Sequence, residues 1–170
     1  MANLRELSVD DLASLVAWRN DPEVTLHLSD RIKTLDEAEK WLRRVTGNVN
    51  NRILAIESEG NLVGYCFVEG VDMVNRRCEV GIVIGAVDCW GKGIGREVLS
   101  ELLRYCFKEL GLHRVFAVVT EGNSRSIRLL ERSGFTREGT MRETLVIRGS
   151  FTNLHIYSML EYEYRVEWVS

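Results

Sequence analysis

The chain has 170 residues, of which 45% are hydrophobic and 28% charged, with a formal net charge of −3; this suits one domain over residues 1–170 that buries about 70% of its unfolded surface. Lys and Arg are scattered among acidic residues, so no basic stripe points to nucleic acid, and the four cysteines carry no C-x-x-C spacing while the three histidines stand alone, so no metal is expected. No apolar run approaches a membrane span and no apolar leader follows Met1, which argues against a membrane partner and for a cytoplasmic protein with reduced, buried thiols.

Leu4 to Leu7 reads as a short strand, and Ser8 opens a helical pattern with Asp11 three positions on, the spacing of a capping box. Leu12, Leu15, Val16 and Trp18 follow at helical spacing until Asn20-Asp21-Pro22 breaks it. Thr34 and Glu37 repeat the capping signature ahead of Ala38, Trp41, Leu42 and Val45, and Gly47 ends that helix. Ile53 to Ile56 and Leu62 to Val68 are apolar strands joined across Glu59-Gly60-Asn61. Cys78 to Ile84 is a further strand. Ile94, Val98, Leu99, Leu102, Leu103, Cys106, Phe107 and Leu110 form one apolar helical stripe, ended by Gly111. Val115 to Val119 suits a buried parallel strand. Asn123 caps a short helix stopped by Gly134, and Phe135 to Ile147 with Phe151 to Leu160 reads as a closing hairpin around Arg148-Gly149-Ser150. The order is β-α-α-β-β-β-α-β-α-β-β, an α/β chain with a mixed sheet of about seven strands and helices on both faces.

The turn Asp88 to Glu97 joins a strand to a helix through Gly91, Gly93 and Gly95. Glycines let the backbone curl so that several N–H groups converge, and the helix that follows adds its unpaired first-turn donors and positive dipole end; a phosphate or pyrophosphate is the natural guest. Two other phosphate motifs fail on spacing. No Gly-Lys-Ser/Thr follows four residues after a glycine, and G-x-G-x-x-G would need glycines where Arg96 and Val98 stand.

What remains, Trp90-Gly-Lys-Gly-Ile-Gly95, resembles motif A of the GNAT N-acetyltransferases, with Trp90 placed as in the RimJ/RimL-like branch. Trp18-Arg-Asn-Asp-Pro-Glu-Val24, Asn123-Ser-Arg-Ser-Ile127, Gly134-Phe135 and Glu138-Gly139…Arg142-Glu143 resemble further segments of that branch, in order and with matching gaps along nearly the whole chain. The resemblance implies the GNAT fold, with the sheet splayed between its fourth and fifth strands. It also implies acetyl-CoA as donor: pyrophosphate on the amides of Gly91, Lys92, Gly93, Ile94, Gly95 and Arg96, and the pantetheine arm along Gly81, Ile82 and Val83. Trp90, Asn123 and Ser126 complete the donor site. The acceptor is a primary amine, reached from the side of Trp18 and Asn20, of the segment Asn20 to Asn51 and of the last hairpin, where Glu143 could hold a cationic group.

Direct attack of a neutral amine needs a base, donors for an oxyanion and a proton for the leaving sulfur. Glu79, on the same strand face as Gly81 and Val83, is the expected base; the competing account is a strand carboxylate paired with Arg76 or Arg77. The tyrosine acid common in the family is replaced by Leu130, which leaves Ser126 or water. Trp18 and Trp41 suit core packing as well as an acceptor wall, Trp90 suits packing under the turn, and His155 a structural role. An ammonium with pKa of about 10.4 is neutral in about 1 of 2,500 molecules at pH 7, a cost of ~4.6 kcal/mol, against ~1.4 for an α-amine near 8. One base and no tyrosine therefore favour a protein N-terminal α-amine or an amino sugar; a spermidine-type polyamine, or a non-catalytic CoA-binding module, is the alternative. The edges of the last strands also make a homodimer an expectation.

Overall fold

The computed structural model describes residues 1–28 and 32–164; part of the expected acceptor segment, residues 29–31, lies outside them. Seven strands form one sheet in the order β1-β2-β3-β4-β5-β7-β6: β1 (Ala2–Glu6), β2 (Arg52–Ser58), β3 (Asn61–Asp72), β4 (Arg77–Ile84), β5 (Arg114–Thr120), β6 (Thr136–Ile147) and β7 (Ser150–Leu160). Four helices complete the fold: α1 (Leu12–Asn20), α2 (Leu35–Thr46), α3 (Ile94–Arg104) and α4 (Ser124–Arg132). Short 3₁₀ turns at Val9–Asp11, Val24–His27, Val87–Cys89 and Glu161–Glu163 link them.

The expected caps are made. Thr34 Oγ1 accepts from the Glu37 N–H at 3.2 Å, and Glu37 Oε2 accepts from the N–H groups of Thr34 at 3.1 Å and Lys33 at 2.8 Å. Asn123 Oδ1 accepts from the Ser126 N–H at 3.1 Å. One element departs from its sequence pattern. The α-helical winding expected to reach Leu110 stops at Arg104, and Tyr105–Glu109 forms a π turn in which the Leu110 N–H donates to the Tyr105 carbonyl at 3.0 Å. Cys106 and Phe107, within the wider turn, are both buried.

Alternation along the strands sorts side chains into two cores. Cys66, Val68, Cys78, Val80, Val115, Ala117 and Val119 face the α3/α4 side with Val98, Leu99, Leu102 and Leu103. Tyr65, Phe67 and Val83 face the α1/α2 side with Leu15, Ala38, Leu42 and Val45.

The sheet opens in its middle. β4 pairs in parallel with β5 only through Arg77 with Arg114, Cys78 with Val115 and Glu79 with Phe116. Beyond that point each strand keeps its outer neighbour: Val80 to Ile84 stay on β3, and Ala117 to Thr120 stay on β7. The end of β4 is drawn towards β3, where the N–H groups of Gly85 and Ala86 both donate to the Val63 carbonyl, at 2.9 and 3.0 Å. Gly64 permits this approach, since a Cβ there would lie 2.3 Å from the Val83 carbonyl oxygen. The result is a V-shaped gap whose inner backbone edges, Ile82 on one side and Val118 on the other, are not paired to each other.

Candidate active site

Two adjoining cavities occupy the gap, of about 640 Å³ and about 270 Å³. The smaller lies over the glycine turn and is lined by Trp90, Gly91, Gly93, Ile94, Gly95 and Arg96, with Asn123, Arg125 and Ser126 opposite. Gly91 and Gly93 have φ of +79° and +87°, and a Cβ at either would meet nothing within 4 Å, so both point into open space. The N–H groups of Lys92 to Gly95 have no backbone acceptor among the described residues, whereas that of Arg96 turns back to the Gly93 carbonyl at 2.9 Å. Converging unpaired donors at the N-terminus of α3 are an anion cradle. Gly95 differs in kind, because its Cβ would come within 3.3 Å of Leu129 and the glycine holds α3 close to α4. Trp90 lies beside the cradle as a prop: its indole N–H donates to the Ile84 carbonyl at 2.8 Å, and the Arg125 guanidinium lies 3.7 Å from its ring centroid.

The larger cavity runs through the gap to the α1/α2 face. Gly81, Ile82 and Val83 line one edge, Val118, Val119 and Thr120 the other, and Asn123, Ser126 and Leu130 the α4 side. Arg19, Trp41, Arg44 and Glu69 form the far wall with Tyr65 and Phe67. Gly81 is required by packing, since a Cβ would lie 2.1 Å from the Phe67 ring.

Glu79 stands directly across the antiparallel ladder from Glu69. The pairing of Glu79 with Arg76 or Arg77 is not made among the described residues: Arg76 reaches Glu161 and the Gly111 carbonyl, and Arg77 reaches Asp72 at 3.6 Å. Burial raises the pKa of both carboxyls; for Glu79 the neighbouring Glu69 adds to it, while Arg44 partly offsets the rise at Glu69. Two carboxyls one ladder step apart in a half-buried setting hold a proton more firmly than an exposed glutamate does. Glu69 lines the larger cavity; Glu79, the expected base, lines neither and reaches the site only through its place across the ladder from Glu69.

None of the three residues expected on the acceptor side lines either cavity. The Trp18 ring packs on Gly85, where a Cβ would come within 2.0 Å of it. Asn20 Nδ2 donates to the carbonyls of Val16 at 2.8 Å and Ile32 at 3.2 Å, closing the end of α1. Glu143 is exposed at a register shift in β6, its N–H bonded to Asn153 Oδ1 at 2.8 Å. Leu130 is buried at 6% exposure, and the hydroxyl of nearby Tyr157 donates to Glu131 at 3.0 Å. Sequence reasoning passed over Glu69, Arg44 and His27. Glu69 was open to it by alternation from Tyr65 and Phe67, but its partnership with Glu79 depends on a register that shifts between Glu69 and Asp72.

Among the described residues there is no group of three metal-ligating side chains, and no helix is long and apolar enough to cross a membrane. The profile of the acetyltransferase (GNAT) domain matches residues 2–136. The chain is 35% identical over 125 residues to "Putative ribosomal N-acetyltransferase YdaF" of Bacillus subtilis (strain 168), covering 74% of this chain and 68% of that one. It is 26% identical over 163 residues to the spermidine N(1)-acetyltransferase of Vibrio cholerae, covering 95% and 94%. The crystal structure of spermidine N-acetyltransferase from Vibrio cholerae in complex with CoA and spermine superposes with a TM-score of 0.87 at 25% identity, over 95% of this chain and 96% of that one. A splayed sheet with an anion cradle at its gap and a family match over most of its length make this chain a member of the GNAT family, an acetyl-CoA-dependent N-acetyltransferase.

Proposed function

We propose that the acceptor is the α-amine of a protein or peptide N-terminus, with an amino sugar as the nearest chemical equivalent. The observation that carries this reading is the charge of the acceptor wall. Among the described residues Arg19 and Arg44 line it against one lining carboxyl, Glu69, with Glu79 across the ladder from it, so the two guanidiniums match the two carboxyls, and Arg44 already acts on Glu69. Such a wall offers no surplus negative charge to a polyamine with three or four ammonium groups, but it accommodates a chain whose only charge near the site is the reacting amine. The polyamine reading rests on the likeness to the Vibrio cholerae enzyme.

In this reading acetyl-CoA lies with its pyrophosphate on the amides of Gly91 to Arg96 and its pantetheine arm between the unpaired edges of β4 and β5. Asn123 holds the start of α4 beside it, with Ser126 facing the gap. The Glu69/Glu79 pair takes the proton that frees the incoming ammonium, a task suited to carboxyls whose pKa is raised towards neutrality. The free amine then attacks the acetyl carbonyl carbon. The whole chain forms this one domain, and a pair of copies through the β6 edge remains part of the proposal.

The test is CoA release from acetyl-CoA with three acceptors compared by kcat/KM: an N-terminal peptide, glucosamine and spermidine. The peptide is expected to lead. Spermidine leading by tenfold or so would replace this reading with the polyamine one.

A further inference from the structure

Acetyl transfer moves two protons. The first leaves the ammonium before attack; the second leaves the attacking nitrogen after the C–N bond has formed, while the departing sulfur needs one. With Leu130 in place of a tyrosine, no phenol serves that second transfer from α4. We propose that His27 carries it, as a catalytic residue of this enzyme.

His27 ends the 3₁₀ turn Val24–His27 and lines both cavities, so its ring lies where the cradle side and the acceptor side of the gap meet. Two elements across the gap hold it. Nδ1 lies 3.2 Å from Thr120 Oγ1 at the end of β5, and Cε1 lies 3.5 Å from the position of a Gly122 Cβ, so the ring sits at van der Waals distance from the loop that leads into α4. A third contact ties its segment down: Arg148, in the turn between β6 and β7, donates from Nη2 to the Pro22 carbonyl at 2.7 Å.

Among the described residues, Arg125 on α4 and Arg148 on the hairpin turn act on the ring, and Glu23 lines the cradle cavity with it. Burial, then Arg125 and Arg148, lower the pKa of His27 from its ordinary 6.5. The imidazole is therefore neutral at pH 7. The tautomer that donates from Nδ1 to Thr120 leaves Nε2 with its lone pair.

The balance then closes without a further reactant. The amine nitrogen forms its bond to the carbonyl carbon, Nε2 accepts the nitrogen's proton, the C–S bond breaks with its electron pair going to sulfur, and the imidazolium returns the same proton to that sulfur. His27 ends neutral, and the products are the amide and the free thiol. The step does not depend on which amine is bound.

The test uses the full chain. In His27→Ala, kcat with the best amine is expected to fall about 100-fold while KM for acetyl-CoA stays within about threefold, and added imidazole is expected to restore about tenfold. Unchanged kcat overturns the proposal, as does a loss that imidazole leaves untouched although CoA still raises the Tm of the variant. Should the variant not fold, or no amine turn over, ring NMR of the wild type decides. The His27 resonances are expected to titrate below 6.5 and to move when CoA is added, and a ring that titrates higher or ignores CoA overturns the assignment. A wrong acceptor shows differently, as a wild-type preference for spermidine with the dependence on His27 intact.

Discussion

The two sides of the gap between β4 and β5 are built from different material. The proposed donor side is backbone: positive φ at Gly91 and Gly93, N–H groups on Lys92 to Gly95 with no backbone acceptor among the described residues, and the start of α3. The proposed acceptor side is side chain: Glu69, Arg44 and Trp41 line it and Glu79 stands across the ladder from Glu69, brought together from two strands and a helix. A backbone site tolerates changes that keep φ and space, whereas a side-chain site is lost with a single functional group. Substitutions on the acceptor side should therefore strike kcat, and those on the donor side the KM for acetyl-CoA.

The largest effect is expected at the carboxyl pair. Glu79→Gln should lower kcat about 100-fold, and Glu69→Gln by a similar order, with KM for acetyl-CoA unchanged. The same variants should melt higher than the wild type. Burial and the neighbouring charge raise both pKa values in the folded state. The folded protein thus binds these protons more tightly than the unfolded chain, so stability falls as pH rises through the pair's titration, and a neutral amide removes that loss. Activity runs the other way: the base works ionised, so kcat falls as pH drops through the raised pKa. A variant at once less active and less stable at neutral pH would show that the pair is structural.

Next in size is the cradle. Gly93→Val should raise KM for acetyl-CoA about twentyfold and leave kcat at saturation near wild type, because the branched side chain fills the open space over the turn and resists a φ of +87°. Gly93→Ala separates the two causes, keeping most of the strain with little of the bulk. If Gly93→Val leaves KM where it was, the pyrophosphate does not lie there.

This difference in material also explains what could be read from the chain. Local rules carried the donor side: alternate glycines between a strand and a helix, Asn123 as a cap, and Gly134 ending α4 are each written within a few residues. The seven strands and four helices were legible for the same reason. The acceptor side is not local. Trp18 and Asn20 stand in a segment that resembles acceptor-side sequence, yet Trp18 is drawn onto Gly85 because a flat indole fits where no side chain intervenes, and Asn20 is used to close α1. Glu69 and Glu79 become a pair only through a ladder register that no spacing along the chain encodes. His27 is a lone histidine until β5, α4 and the last hairpin surround it. The π turn at Tyr105–Glu109 escaped because an apolar stripe reads the same whether or not one turn is widened.

A smaller effect should separate the acceptor readings. Arg44→Glu reverses one charge in the wall beside Glu69, and by the ~1 kcal/mol of a partly exposed charge pair it should improve kcat/KM for spermidine about fivefold relative to a peptide. The ratio should shrink as salt is added. An unchanged ratio would mean that Arg44 does not face the acceptor.

The smallest effects compare two helix caps, one on each side. Thr34 caps α2 through a reciprocal box with Glu37, while Asn123 caps α4 and lines both cavities. Each cap is worth about 0.5 to 1 kcal/mol, so Thr34→Ala should lower Tm by about 1 to 4 °C. Its kinetics should not change, because α2 reaches the acceptor wall through Trp41 and Arg44, about two to three turns beyond the cap. Asn123→Ala should cost the same few degrees and also raise KM for acetyl-CoA about threefold, since fraying the first turn of α4 displaces Ser126 and Arg125, which face the cradle. Equal kinetic effects from the two substitutions would mean that the gap is sensitive to helix stability in general, and that the start of α4 is no closer to the donor than the start of α2.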